Sequence, residues 1–224
     1  MDISGSDKQS ETGAGRTCVL VRFKVKGNVR YLSHAETMRV FQRACVRAKV
    51  KVAYSQGFNP HPRMSLVLPR SVGVESEDEL LCLWLADGQG EIDADALKKQ
   101  MPEGIEIVSV EISPKKKVPE PVAAQYVVKV KEQPKAQQVK RIVAELSSRN
   151  EITVERRIDD GPRVKVVDVR PFLKSIKVEA GDVVADCAIS PGGTIRVDEI
   201  LGLLDLKQDD LTGPVRRVSV QYLE

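Results

Sequence analysis

The sequence is poor in the residue types that build metal centres and many catalytic sites. Its 224 residues include only two histidines, His34 and His61, and aromatic residues make up 4% of the chain. The four cysteines are far apart, with no C-x-x-C pair and no histidine near enough to complete a zinc-binding set. We therefore interpret the cysteines as reduced core residues, and we expect neither a metal nor another cofactor.

The sequence also lacks the short motifs that bind phosphate or carry a catalytic nucleophile. None of G-x-x-x-x-G-K-[ST], G-x-G-x-x-G, G-x-S-x-G and H-E-x-x-H occurs. No run approaches the roughly 18 to 20 apolar residues of a membrane span, and residues 1–16 lack the basic and then apolar order of a signal peptide. These absences predict a soluble cytoplasmic protein without a membrane partner.

Charge is strongly separated along the chain, although the net charge is only +3. Residues 17–70 contain eleven Lys and Arg against one acid, Glu36, which is a balance of +10. Residues 71–112 contain eleven acids against Lys98 and Lys99, which is a balance of −9. Either the two segments attract each other within one domain, or the basic segment faces a polyanion, which it attracts over about one Debye length. The sequence alone leaves both explanations open.

The order of the predicted elements indicates an α+β fold. Residues 1–16 are polar and aperiodic and predict a disordered tail. In residues 17–113, strands are predicted at 18–26, 64–68, 79–85 and 105–112, and helices are predicted from Ser33 onward and at 93–101. This β-α-β-β-α-β order predicts a basic ferredoxin-like module with an antiparallel sheet.

The pattern then repeats after a Pro- and Lys-rich linker at residues 114–123. Residues 124–224 predict a second ferredoxin-like module, with strands at 126–130 and 216–222 and helices at 135–149 and 197–204. Between them, the segments 152–155, 164–167, 172–178 and 183–189 compete as strands, and Pro191–Thr194, Asp159–Asp160 and Asp209–Asp210 are interpreted as turns. The chain is thus predicted to hold two tandem ferredoxin-like modules, and the topology of the second is left open.

The helix predicted to begin at Ser33 has an apolar side and a basic side. Ser33 and Glu36 have the spacing of a capping box, which satisfies two amide donors at a helix start. The apolar stripe is Met38, Phe41, Cys45 and Ala48, and the basic stripe is Arg39, Arg43 and Arg47. Like charges four residues apart repel each other, so the basic stripe predicts a face that binds an anion. The strand before it alternates apolar Val21, Phe23 and Val25 with basic Arg22, Lys24 and Lys26, which predicts an exposed basic face.

The stretch SQGFNPHPR, residues 55–63, predicts a rigid loop. Each proline restricts the residue before it, so Asn59 and His61 are expected to be extended, whereas Gly57 is free to adopt a positive φ. A rigid loop loses little conformational entropy on binding, and it is therefore suited to holding a ligand. The alternative is that the prolines only prevent a strand from extending.

The two histidines are candidate catalytic residues. His34 is predicted at the first helical position, nearer the apolar stripe than the arginines, where it either packs at the helix start or acts as a general base. His61 belongs to the same basic segment, and the sequence leaves open whether the two share a site. Two histidines do not form a metal site without a third ligand.

Several of these motifs occur together in one known family. The runs YLSHAETMR (31–39), AYSQGFNPHPR (53–63), GVESE (73–77), DVRPF (168–172) and RVDEI (196–200) resemble the radical-SAM-linked domain of unknown function, and the resemblance covers most of residues 18–224. Members of that family lie at the C-terminus of radical SAM proteins or are separate chains beside them, so the resemblance implies a radical SAM partner. The C-x-x-x-C-x-x-C cluster ligands of radical SAM enzymes are absent, so radical chemistry would come from that partner.

Three functions remain open. The first is an RNA-binding or RNA-recognition module that serves a modifying or processing enzyme, with phosphate contacts better supported than base readout. The second is an endoribonuclease-like or other hydrolase with His34 as general base, because tandem ferredoxin-like modules are similar to the CRISPR RNA-processing endoribonucleases. The third is a non-enzymatic docking partner of a radical SAM protein. The candidate catalytic residues are His34 and His61, and the candidate ligand- or RNA-binding residues are Arg30, Ser33, His34, Arg39, Arg43, Arg47, Gln56, Gly57, Phe58, Asn59, His61 and Arg63.

Overall fold

The structure, a computed structural model, describes residues 17–113, 117–131, 135–157 and 163–223. These residues form a mixed α+β fold with a large, mostly antiparallel sheet and few helices. The predicted tail at residues 1–16 and the predicted turn at Asp159–Asp160 lie outside them. None of the helices within these ranges is both long and apolar enough to cross a lipid bilayer.

The described residues contain eleven strands and four α-helices. The strands are β1 (Cys18–Val25), β2 (Met64–Leu66), β3 (Glu75–Trp84), β4 (Ile105–Ile112), β5 (Pro121–Val128), β6 (Thr153–Arg157), β7 (Val164–Asp168), β8 (Leu173–Glu179), β9 (Asp182–Ser190), β10 (Gly193–Thr194) and β11 (Arg216–Tyr222). The helices are α1 (His34–Arg47), α2 (Ala94–Lys98), α3 (Lys135–Ser148) and α4 (Val197–Leu203). We call residues 17–113 the first half and the described residues from 117 onward the second half.

One sheet runs through both halves. Its strands pair in the order β10-β9-β5-β11-β3-β1-β4, with β2 also paired to β3 and β8 to β9. Every pair in it is antiparallel except β11 with β3, which is parallel and places Arg216 opposite Glu75 and Arg217 opposite Ser76. The last strand of the chain therefore lies between β5 of the second half and β3 of the first. Strands β6 and β7 form a separate two-stranded sheet.

The first half packs α1 against β1. Alternate residues of β1 are buried, and the ring of Phe23 meets that of Phe41 edge to face, with centroids 4.7 Å apart. An aromatic pair of this kind adds about 0.5–1.5 kcal/mol beyond the burial of its area. On the opposite face of β1, Arg22 and Lys24 are half-buried. The predicted period-2 pattern of this strand is thus confirmed.

The start of α1 is fixed by local hydrogen bonds, as predicted. The Ser33 hydroxyl accepts from the Glu36 amide at 3.3 Å, and the Glu36 carboxylate accepts from the Ser33 amide at 2.8 Å. Hydrogen bonds from the Ser33 side chain and backbone lower the pKa of Glu36. Phe41 and Cys45 are buried as expected, whereas Met38 is only half-buried.

Several element boundaries differ from the sequence predictions. All four competing segments in the second half are strands. Among the described residues, β6 pairs with β7 alone and is not part of the large sheet. Strand β3 begins four residues earlier than predicted, because its acidic first residues are neutralised by arginines rather than exposed in a loop. Strand β2 ends at Leu66, α2 spans only Ala94–Lys98, and part of the predicted turn at 191–194 is β10.

Candidate functional site

The acidic residues of β3 are paired inside the protein. The four acids lie close to guanidinium groups. The pairs are Glu75 with Arg30 at 4.0 Å, Glu77 with Arg216 at 3.0 Å, Asp78 with Arg22 at 3.1 Å and Glu79 with Arg217 at 2.5 Å. Two of these arginines belong to the first half, and two belong to β11. Attraction between the basic and acidic segments thus accounts for Glu75 and Asp78, whereas Glu77 and Glu79 are paired with arginines of β11. Because Arg22 is paired with Asp78, its charge is neutralised, and the basic face predicted for β1 carries one free cation fewer.

Arg30, a candidate binding residue, also has other structural contacts. Its guanidinium lies 4.4 Å from the centre of the Tyr31 ring and donates to the Gly27 carbonyl oxygen at 2.9 Å. It therefore holds the 3-10 turn that precedes α1. Another candidate, Arg63, is half-buried, with its guanidinium 5.6 Å from the centre of the Trp84 ring.

His34 lies at the first position of α1 as predicted, and its side chain is exposed. It lines a narrow cleft together with Thr37, Arg70 and Glu79, among others. The free volume of this cleft is about 10 Å³, which is close to the least space that one water needs. Arg70 closes the cleft by donating to the carbonyl oxygens of Arg30 at 2.7 Å and of Val74 at 2.5 Å. The cleft is therefore too small for a substrate in this conformation.

The loop at residues 55–61 is closed by two hydrogen bonds at its base. The Ser55 amide donates to the His61 carbonyl oxygen at 2.8 Å, and the His61 amide donates to the Ser55 hydroxyl at 2.9 Å. Gly57 has a φ of +131°, which side-chain-bearing residues rarely adopt, and it thus uses the freedom that the sequence allowed at this position. Phe58 is 107% exposed at the tip. Gln56, Asn59 and His61 are exposed as well.

The arginine stripe of α1 is only partly available. Arg47 donates from Nε to the Gln100 side-chain oxygen at 2.9 Å and from Nη2 to its carbonyl oxygen at 2.7 Å. This arginine therefore links α1 to the segment after α2, a structural contact that the sequence did not predict. Arg39 and Arg43 are exposed, and no carboxylate of the described residues lies within 4.0 Å of either guanidinium. These two cations remain free to contact an anion.

A groove joins α1 to the foot of the 55–61 loop. Its volume is about 610 Å³, within the range of about 300–1,000 Å³ that is usual for ligand sites. Gln42, Arg43 and Val46 of α1 form one wall, and Tyr54 and Pro62, which bridge across the foot of the loop, form another. We call this feature the α1 groove. It brings together the basic helix and the rigid loop, which the sequence predicted as separate features.

Three polar residues of the groove are not among the binding residues predicted from the sequence, and they are Gln42, Lys51 and Tyr54. Lys51 is exposed, and Tyr54 is 52% exposed. The available signal was an aromatic residue directly before a rigid loop within a basic segment. The two histidines belong to different features of the structure, since His34 lines the narrow cleft and His61 belongs to the loop. Among the described residues, no three His, Cys, Asp or Glu side chains form a group that could hold a metal ion.

Motif residues of the second half have structural roles. Asp168 accepts hydrogen bonds from the amides of Ile152 and Arg170, at 3.0 and 2.9 Å. Glu199 binds the Arg156 guanidinium through both oxygens, at 2.7 and 2.9 Å. Burial alone would raise the pKa of Glu199, but the hydrogen bonds from Arg156 and from the Arg196 amide lower it. The residues from Gln56 to Asn59 have no comparable packing role, because their side chains are exposed.

Comparison with known proteins places the chain in a family. The family model described as uncharacterized protein conserved in bacteria (DUF2344) matches residues 19–199. The chain therefore belongs to this family. No curated protein matches it. The crystal structure of an unknown protein from Galdieria sulphuraria aligns with 93% of this chain and 99% of that chain, at 11% identity and a TM-score of 0.27, which is too low to support a shared fold.

Proposed function

We propose that the protein is an RNA-binding module and that single-stranded RNA lies along α1 and across the foot of the 55–61 loop. The observation that carries this proposal is the α1 groove, which places Arg43 and Lys51 beside the half-exposed ring of Tyr54. Proteins that bind single-stranded nucleic acid combine a basic groove for the backbone with aromatic rings on which bases stack. Phe58, fully exposed at the loop tip, provides a second ring.

The strand order supports a ferredoxin-like module in each half. In the first half the order is β2-β3-β1-β4, and in the second it is β8-β9-β5-β11. Each order places the first strand of its half in the interior, as the βαββαβ pattern requires. We propose that β6 and β7 are an insertion in the second module and that the two modules share one sheet through β11 and β3. Phe23 is buried, so the RNA would contact the helix and loop rather than the sheet face used by RNA-recognition motifs.

We also propose that the module serves a modifying or processing enzyme. The sequence resemblance supports a radical SAM protein as this partner. Co-purification of an iron–sulfur protein with the tagged chain, resistant to nuclease treatment, is the expected result. Failure of the same protein to bind RNA would favour a non-enzymatic docking role instead.

Binding across a salt series tests the RNA proposal. The probe is a fluorescent oligouridylate of about ten nucleotides, a length within the usual site size. Replacing Arg39 and Arg43 together by glutamine should weaken binding and reduce the slope of log K against log salt by about 0.7 for each lost phosphate contact. The matched control replaces Lys140 and Arg141, two exposed cations of α3, by glutamine and should leave the slope unchanged. Absence of binding at low salt, or equal effects of the two double variants, would contradict the proposal.

A hydrolase is the second candidate, favoured by the exposed side chain of His34, which lines one cleft together with Thr37 and Glu79. In this role His34 would remove a proton from the RNA 2′-hydroxyl as general base, and the 2′-oxygen would attack the adjacent phosphorus. The bond from phosphorus to the 5′-oxygen would break, and that oxygen would take a proton from water, which gives a 2′,3′-cyclic phosphate and a 5′-hydroxyl end. The cleft would have to open, because its present volume does not admit a nucleotide. Wild-type cleavage of RNA that is abolished in His34→Ala and retained in His61→Ala is the result that supports this function. Intact RNA after prolonged incubation with the wild type excludes it for the sequences tested.

A further inference from the structure

The α1 groove has an apolar interior and a basic rim. Its interior includes Cys45 and Val50, which are buried, together with Met64. Val46, although 73% exposed, adds an apolar wall on the helix side. The lining residues include three cations, Arg43, Arg47 and Lys51, and no carboxylate. An occupant that complements both features has an apolar body and a negative charge.

A nucleotide has both an apolar body, which is its flat base, and a negative charge. Its base carries a large apolar face, and its phosphate carries the charge, so a base within the groove would leave its phosphate at the rim. The ring of Tyr54 is suited to stacking for two reasons. A β-bridge to Pro62 fixes the backbone of Tyr54, and about half of the residue is exposed to solvent. A volume of about 610 Å³ leaves room for a base together with part of its backbone.

We propose that the α1 groove holds one unstacked base of a single-stranded RNA, with the ring of Tyr54 against the face of the base. Arg43 and Lys51 then contact the phosphates on either side. Gln42, a wall residue with a side-chain amide, meets the polar edge of the base. This inference rests on the proposed function, since it names which part of the RNA enters the groove.

Arg47 has a separate part in this arrangement. Two hydrogen bonds to Gln100 hold its guanidinium in place, so its position at the groove does not depend on a ligand. A cation fixed in advance loses little entropy when a phosphate arrives. Arg47 thus helps to set the field at the rim, while Arg43 and Lys51 adapt to the backbone of the RNA.

The test compares two probes and three variants. The probes are the labelled oligouridylate and an oligoribonucleotide of the same length made of abasic residues, and both carry the same backbone charge. The variants are Tyr54→Ala, Tyr54→Phe and the control Tyr31→Ala, which removes another half-exposed tyrosine that does not line the groove. Thermal unfolding of each variant checks that it is folded.

Tyr54→Ala should weaken oligouridylate binding about 5- to 150-fold, the range for loss of one base–aromatic stack, and should leave the salt slope unchanged because the ring is uncharged. Tyr54→Phe should restore binding, and Tyr31→Ala should have little effect. The wild type should bind the abasic probe more weakly, with no further loss in Tyr54→Ala.

Two results would overturn the inference and leave the proposed function standing. In the first, the wild type binds both probes with equal affinity. In the second, Tyr54→Ala has no effect on binding, although replacement of Arg39 and Arg43 still weakens it. Either one means that the protein contacts phosphates without holding a base. In a further outcome, a glutamate peptide of equal charge binds as tightly as the oligouridylate and competes with it. That result would indicate an acidic protein partner and overturn both the inference and the proposed function. Absence of any RNA binding would also overturn both.

Discussion

The guanidinium of Arg217 donates to the carboxylate of Glu79 at 2.5 Å, across 138 residues of sequence, and both side chains are buried. Arg217 also donates to the carbonyl oxygens of Leu68 at 3.1 Å and Pro69 at 3.4 Å. The positive charge of a buried arginine is tolerated only when it is paired and hydrogen-bonded. This pair therefore favours the one arrangement in which β11 lies beside β3, and it joins the two halves.

Removal of one member of this pair should destabilise the protein strongly. Glu79→Gln leaves the Arg217 charge buried without its counter-ion, and a loss of about 3–5 kcal/mol in the free energy of unfolding is expected. The measurement is urea unfolding followed by circular dichroism. The double variant Glu79→Leu with Arg217→Met should recover much of the loss, because no unpaired charge remains.

The neighbouring pair provides the control for this experiment. Arg216 and Glu77 are 3.0 Å apart, but about a third of each side chain is exposed. Arg216→Gln should cost no more than about 1 kcal/mol, because solvent screens such a pair. Equal losses for Glu79→Gln and Arg216→Gln would show that the buried pair has no special part in joining the halves.

Low pH should decrease the free energy of unfolding, and part of this decrease should come from protonation of Glu199. Its pKa is lower in the folded protein than in the unfolded chain, where it is about 4.3. A carboxylate with a lowered pKa contributes stability that is present above the unfolded value and is lost as the pH falls through the folded value. In Glu199→Gln, the fall in unfolding free energy between about pH 5 and pH 3 should be smaller than in the wild type. The exposed Glu151→Gln serves as control, and an equal change in both variants would contradict the role given to the Arg156 contact.

The cysteines should be unreactive until the protein unfolds. All four are buried and free, and burial raises the pKa of Cys45 to about 11 and that of Cys187 to about 12. The pKa of Cys18 is instead lowered by a hydrogen bond with Cys82, but burial keeps all four sulfurs from the reagent. A disulfide reagent such as dithiobis(nitrobenzoate) should therefore label none of them rapidly at pH 8 in the native protein. All four should react in urea. Rapid labelling of even one thiol in the native state would show that this part of the core opens readily.

Features set by neighbouring residues were predictable from the sequence. The capping box at Ser33 and Glu36 needs only four residues, and it located the start of α1 correctly. The positive φ of Gly57 likewise follows from local chain geometry. The period-2 pattern of β1 also predicted which of its residues are buried.

Features that depend on distant residues were not predictable. The acidic start of β3 has no strand-like composition, and it forms a strand because Arg22, Arg30 and the two arginines of β11 neutralise it. The role of Arg47 depends on Gln100, which is 53 residues away. The α1 groove was missed for the same reason, since no local pattern shows that Tyr54 and Val46 line one cavity.

The 55–61 loop allows a test that separates its shape from its side chains. Gly57 has a φ of +131°, and an added Cβ there would meet no atom within 4 Å, so Gly57→Ala changes only the backbone preference. A residue forced into such a conformation costs about 1–3 kcal/mol, and the loop should therefore leave its native shape for part of the time. Apparent RNA affinity falls in proportion to the fraction of molecules that keep the binding-competent shape. Anisotropy with the oligouridylate should show weaker binding with an unchanged salt slope, because no charge is lost.

Gly88→Ala is the matched control for this variant. Gly88 is also exposed, has a positive φ of 83° and has no atom within 4 Å of an added Cβ, but it does not line the α1 groove or belong to the loop. The two variants should show comparable small losses in thermal stability, because each forces one exposed alanine into an unfavourable conformation. Only Gly57→Ala should bind RNA less tightly. If both variants bind as the wild type does, the preformed shape of the loop has no part in recognition, and the contribution of this segment would rest on the ring of Phe58 alone.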